Sequence, residues 1–323
     1  MPKASTVPPW HPVTVDTTGA RGGEVLLGVT DGRDGDDDCT YVVAQGFQAC
    51  VEAFEMQRFQ RLAAALRVRL VVVETPGMGF ARSRLLPAER RALLRGDYTP
   101  LARRMLRAAE AVTHDGRSAL EASGTGPRTG AASPVTVGVL GYSMGASIAT
   151  AMAAVADGGA GHRVDTAILV EPVAVRRWRP APLVTAVHRE NRRVQSCLDE
   201  TATVAGAVQP LDRRGDPGPL THRRRDLLVL ANGLRGATLP HDLATAGRLS
   251  RPLRRIVVVR AADSLLCLPG FVDDVVSAAE QVGAEVHTLT VPGSHNFWHS
   301  LPAVDAASAR LLDVLGQLPC GKR

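Results

Sequence analysis

Lysine is nearly absent from this chain. Only Lys3 and Lys322 are lysines among 38 lysine and arginine residues, set against 32 aspartates and glutamates for a formal net charge of +6. An arginine excess in a chain also rich in alanine and glycine fits GC-biased coding better than recognition of a polyanion. No nucleic-acid partner is expected, and only local groupings of charge carry information. Long apolar runs are missing too. No stretch reaches the roughly 18 uncharged apolar residues of a membrane span, and residues 1–10 lack the apolar core of a secretory signal. The expectation is therefore no membrane partner and a cytoplasmic location. Cysteine is sparse and unpatterned. Cys39, Cys50, Cys197, Cys267 and Cys320 are odd in number and never spaced C-x-x-C, which argues against a disulfide framework or a zinc site. Reduced thiols are expected, with no metal and no cofactor.

What the chain does have is an ordinary globular composition, 45% hydrophobic and 22% charged, over 323 residues. That length suits one α/β domain with an insertion. Apolar β-branched runs alternate with Ala/Leu-rich helical segments, the pattern of a mostly parallel sheet with helices on both faces. An opening hairpin is expected from 13–15 and 24–29. Further strands are expected at 40–44, 69–73, 135–140, 166–170, 255–260 and 285–291, with helices at about 50–66, 101–112, 146–156, 272–282 and 304–315. The Gly/Ser/Thr-rich stretch 123–133 has the wrong glycine spacing and position for a dinucleotide fingerprint and reads as a surface linker. Between 172 and about 250 the alternation fails, prolines recur, and arginines cluster, including Arg223-Arg224-Arg225. This segment is expected to be an inserted helical lid, with core regions 1–171 and 251–323 on either side.

Chemistry concentrates at Gly141-Tyr142-Ser143-Met144-Gly145, between an apolar strand and a small-residue helix. A serine on such a strand-to-helix elbow is pushed clear of the sheet, and glycines flank it because side chains there would strike neighbouring backbone. The serine also begins a helix, whose free N–H groups favour developing negative charge. An unactivated serine is a poor nucleophile, so a base and an orienting acid are required further along the chain. His295, in Val291-Pro292-Gly293-Ser294-His295, follows a strand at its carboxyl end, where α/β sites lie; His287, within the strand, and His299 are its competitors. Two acids also follow strand ends: Asp263, expected to orient the imidazole, and Glu171, its rival.

Taken together these residues resemble the α/β-hydrolase family outside roughly 172–250. Ala44-Gln45-Gly46-Phe47 looks like that family's His-Gly-Phe loop, and Pro76-Gly77-Met78-Gly79-Phe80-Ala81-Arg82-Ser83 looks like its Pro-Gly-x-Gly-x-Ser loop. Gln45 stands where the histidine is usual, and Glu74-Thr75 where an acid-leucine pair is common. The resemblance implies an oxyanion hole built from the backbone N–H groups of Phe47 and Met144. It also implies a serine hydrolase acting on a small-molecule acyl substrate, most simply a carboxylic ester. Alternatives are an acyltransferase or thioesterase, whose arginine-rich lid could meet an acidic or carrier-bound substrate, and a non-catalytic ligand-binding protein of the same fold.

Overall fold

The computed structural model describes residues 9–19, 22–33, 39–79, 83–121, 135–156, 161–210 and 223–316, with backbone alone over 114–121. The expected linker at 123–133, Phe80-Ala81-Arg82 and Cys320 lie outside the described residues.

Eight strands form one sheet. Trp10–Asp16 (β1), Glu24–Asp31 (β2), Thr40–Ala44 (β3), Arg69–Val73 (β4), Val135–Tyr142 (β5), His162–Val170 (β6), Arg255–Ala261 (β7) and Glu285–Val291 (β8) are ordered β1-β2-β4-β3-β5-β6-β7-β8. The β1–β2 and β2–β4 pairs are antiparallel and all others parallel. The central strands are continuous apolar runs because both of their faces are covered. Val42, Ala44, Val71, Val73 and Val258 point into one core layer, whereas Tyr41, Val43, Leu70, Val72, Val257 and Val259 point into the other. Each such valine withdrawn from water contributes roughly 1.5–3 kcal/mol before conformational entropy is counted.

Helices Ala53–Leu66 (α1), Pro87–Leu93 (α2), Thr99–Glu121 (α3) and Met144–Val155 (α4) accompany the first half of the sheet, and Pro269–Glu280 (α9) and Leu301–Gly316 (α10) the last. Helix α1 starts at Glu52, whose carboxylate accepts the Phe54 N–H, and stops at Arg67 in the left-handed region. It packs with α10 on one face of the sheet, while α3 packs on α4.

Between β6 and β7 the chain is helical: Pro180–Asn191 (α5), Val194–Ala202 (α6), Arg224–Gly233 (α7) and Leu239–Ala246 (α8). Helix α8 packs against α4 and α9, α7 against α2, and α6 against the 3₁₀ turn His295–His299 and α10. The buried Asp226 of α7 ties this segment to the core by accepting from the Arg90 guanidinium at 2.8 Å and the Leu85 N–H at 3.2 Å. Among the described residues no helix is long and apolar enough to cross a membrane.

The expectation of reduced thiols fails at Cys39, which is disulfide-bonded; Cys50, Cys197 and Cys267 are free and buried. Cysteine spacing detects bridges and metal sites only where pairs are local, and a single bridge leaves no such signature.

Candidate active site

A sharp turn follows β5. Ser143 has φ +57° and ψ −115°, a conformation costly for a non-glycine residue, and its N–H donates to Val170 O at 2.8 Å as the chain enters α4. The flanking glycines are dictated by contact. A Cβ on Gly141 would lie 2.1 Å from Gly145 O, and one on Gly145 would lie 2.0 Å from Ala44 O. The motif spacing therefore records how closely α4 is drawn against the ends of β3 and β5.

His295 reaches Ser143 from the loop after β8. Its Nε2 lies 3.0 Å from Ser143 Oγ, and its Nδ1 lies 2.7 Å from Glu171 Oε2, with all three side chains buried. An acid at Nδ1 assigns that nitrogen the proton and leaves Nε2 to accept from the serine hydroxyl. Tyr142 holds the ring from behind. It stacks on the imidazole at 5.5 Å between centroids and donates its hydroxyl to His295 O at 2.9 Å. Asn296 donates to Glu190 O at 2.8 Å, fastening the next residue to α5.

The expected pairing of His295 with Asp263 is corrected by this geometry. Asp263 is exposed, its N–H donates to Gly293 O at 2.9 Å, and its carbonyl accepts from Arg193 Nη1 at 2.9 Å. It lines a separate groove of about 440 Å³ with Arg193 and Gly293. The reason is the tight turn after β7, where the Ser264 N–H donates back to Ala261 O at 3.3 Å and so brings Ser264, one residue later, inward. Glu171, the rival acid, takes the place at Nδ1. It too sits at positive φ, +54°, and its N–H donates to Val259 O at 2.8 Å. Its Oε1 accepts the Ala261 N–H at 2.5 Å and its Oε2 the Ser264 hydroxyl at 2.5 Å. Sequence reasoning missed Ser264, for which the only signal was its place in a polar turn after a strand.

The competing histidines lie elsewhere. His287 pairs with Glu285 on the edge strand β8 at 2.8 Å. His299 stacks on Phe54, and burial, then Arg58 and His295, push its pKa down to about 3, so it stays neutral.

The loop after β3 comes close to the serine. Gly46 is packed so tightly that a Cβ would lie 2.9 Å from the Tyr142 ring and 3.6 Å from Ser143 Cβ. The residues that depart from the family pattern brace this loop. Gln45 donates to Cys50 O at 3.1 Å, and Glu74 Oε2 accepts the Val51 N–H at 3.1 Å. Glu74 also fills the space over Gly79, where a Cβ would lie 2.0 Å from Oε2. Gln48, at φ +67°, donates its N–H to Met78 Sδ at 3.2 Å.

Above Ser143 is a cavity of about 310 Å³. Its walls come from the loop at 45–49, from Glu55 and Phe59 of α1, from Tyr142, and from Trp298 and His299. The segment after β6 supplies Val173, Leu183, Val187, Asn191, Val194 and Leu234. Leu183, Val187 and Asn191 are spaced four apart and turn one face of α5 to the cavity.

No family model and no curated protein sequence matches the chain. Solved structures do. An esterase from the archaeon Pyrobaculum calidifontis superposes with a TM-score of 0.54 at 17% identity, covering 96% of this chain and 85% of that one. Carboxyl esterase 2 from the fungus Tuber melanosporum gives 0.53 at 14% identity, covering 97% and 87%. A puromycin-hydrolyzing peptidase of Mycobacterium tuberculosis gives 0.52 at 16% identity, covering 95% of this chain and 40% of that one. These likenesses, with the strand order and the elbow after β5, identify the chain as having the α/β-hydrolase fold.

Proposed function

We propose that the chain is a serine hydrolase of carboxylic esters or related acyl compounds, with Ser143, His295 and Glu171 as its catalytic residues. The observation that carries this reading is the continuous relay from Ser143 Oγ to His295 Nε2 at 3.0 Å and from Nδ1 to Glu171 at 2.7 Å, beside a cavity that Ser143 and His295 both line. Esterases among the structural neighbours support the substrate class.

In this reading Ser143 Oγ attacks the acyl carbonyl carbon while its proton passes to His295 Nε2. The imidazolium is stabilised by Glu171, which stays ionised. The carbonyl oxygen becomes an oxyanion facing the N–H of Met144, in the unsatisfied first turn of α4, and that of Phe47 in the adjoining loop. Collapse expels the alcohol, protonated by His295. Water then gives its proton to His295, attacks the acyl-Ser143 carbonyl, and releases the acid. Helices α5 and α6, with Leu234 just after α7, act as the lid, since their residues line the cavity that holds the serine. The test is turnover of p-nitrophenyl esters by the purified chain. Turnover that disappears in Ser143→Ala supports the reading, and turnover that survives in Ser143→Ala contradicts it.

A further inference from the structure

The triad uses the serine end of the cavity and leaves one charged group in the wall unexplained. Glu55, in the first turn of α1, lines the cavity and is 7% exposed. Among the described residues no hydrogen bond or ion pair engages its carboxyl group, although electrostatic attraction from Arg58 reaches it. Burial raises its pKa above the ordinary glutamate value.

The groups around it do not offer a partner. Arg58, one turn further along α1, spends its guanidinium on the carbonyls of Trp298, Phe54 and His299 and lies over the Phe54 ring. Glu52 is occupied by the Phe54 N–H at the head of the helix. Tyr142 has given its hydroxyl to His295 O. His299 is neutral. Burial and the nearby Glu52 act against a negative charge on Glu55, and the attraction from Arg58 acts for it, so an arriving cation would act in the same sense as Arg58. A carboxylate withdrawn from water without a partner is costly, and an arriving ammonium group removes that cost while its N–H groups meet a strong acceptor.

We propose that Glu55 recognises a cationic amine on the non-reacting part of the substrate, so that the enzyme selects amino-bearing acyl compounds small enough for the 310 Å³ cavity. The apolar remainder of the substrate is received by Phe59, Leu183, Val187 and Trp298, which share the cavity with Glu55. This rests on the hydrolase reading of the same site.

Two measurements test it. In the first, kcat/KM is compared for p-nitrophenyl esters of trans-4-aminocyclohexanecarboxylate and of trans-4-methylcyclohexanecarboxylate, which differ by an ammonium group in place of a methyl and whose trans ring prevents attack of the amine on its own ester. A hydrogen-bonded charge pair implies that the amino-to-alkyl ratio falls roughly 10- to 100-fold in Glu55→Gln and is partly restored in Glu55→Asp. A ratio unmoved by Glu55→Gln, with esters still turned over, overturns the proposal and leaves the hydrolase standing. The second measurement uses the wild-type chain alone: n-butylammonium should slow fluorophosphonate labelling of Ser143 at concentrations where n-pentanol does not. Equal protection by the alcohol overturns the assignment of a cation. Failure of both turnover and Ser143 labelling overturns the hydrolase reading and the proposal together.

Discussion

Ser264 donates its hydroxyl to Glu171 Oε2 at 2.5 Å, and this is the same carboxylate oxygen that meets His295 Nδ1. The Ser264 hydroxyl is itself held, because Oγ accepts the N–H groups of Cys267 at 2.9 Å and Leu266 at 3.3 Å. The turn after β7 thereby fixes where Glu171 points, and through Glu171 it reaches His295.

Ser264→Ala should lower kcat roughly 10- to 100-fold with KM little changed, because a hydrogen bond to a charged group is lost from the acid rather than from the substrate pocket. Ser264→Thr should recover most of the loss. Steady-state kinetics on an activated ester decide it; equal changes in KM and kcat, with no recovery by threonine, would show Ser264 to be merely structural.

Gly145→Ala should destabilise the chain by about 3 kcal/mol, since overpacking a site with no free space forces backbone to move. The added Cβ meets Ala44 O at 2.0 Å and Ala44 C at 2.6 Å, both backbone atoms of a central strand. Urea denaturation measures this, and an unchanged midpoint would mean that α4 is not drawn against β3 as closely as described.

Asp242 gives the fold a pH dependence. It is buried in α8, and burial, then Asp97, raises its pKa to about 7, with the Thr238 side chain acting in the opposite sense. The folded chain binds this proton more tightly than the unfolded one. The stability it contributes is complete below a pH of about 4 and is lost as pH rises through about 7. Asp242→Asn should therefore stabilise the fold at pH 8 by an amount on the order of 4 kcal/mol, seen as a higher thermal midpoint, and the gain should vanish near pH 4. A gain of the same size at both pH values would contradict the assignment.

Much of the scaffold was legible because buried parallel strands are β-branched runs bounded by turn residues. Arg69–Val73 and Glu285–Val291 were expected at their observed ends. β6 begins earlier than expected, at His162, because its first residues include His162 and Arg163 and break the apolar run. Helix α2 went unread since it is only seven residues long, and α3 runs well beyond 101–112. Ser143 could be found from its neighbours, because the glycines are there for close contact with backbone. His295 could be found from its loop. The partner acid could not be decided. Both Glu171 and Asp263 follow strands, and what separates them is a backbone angle at Glu171 and a tight turn at 261–264, neither of which has a distinctive residue pattern. Glu55 was invisible as well: one acidic residue in a helix's first turn is usually solvated, and only the packed cavity shows it enclosed.

The most direct test of the account is the rate at which a fluorophosphonate labels the chain, with the adduct located by peptide mass spectrometry, in wild type, Glu171→Gln and Asp263→Asn. Removing the acid that holds the imidazole tautomer costs about 10⁴-fold in the triad where it has been measured. The account predicts an adduct on Ser143, labelling slowed by about 10³-fold or more in Glu171→Gln, and a rate within about threefold of wild type in Asp263→Asn. An adduct elsewhere, or labelling that depends on Asp263 and not on Glu171, would contradict it.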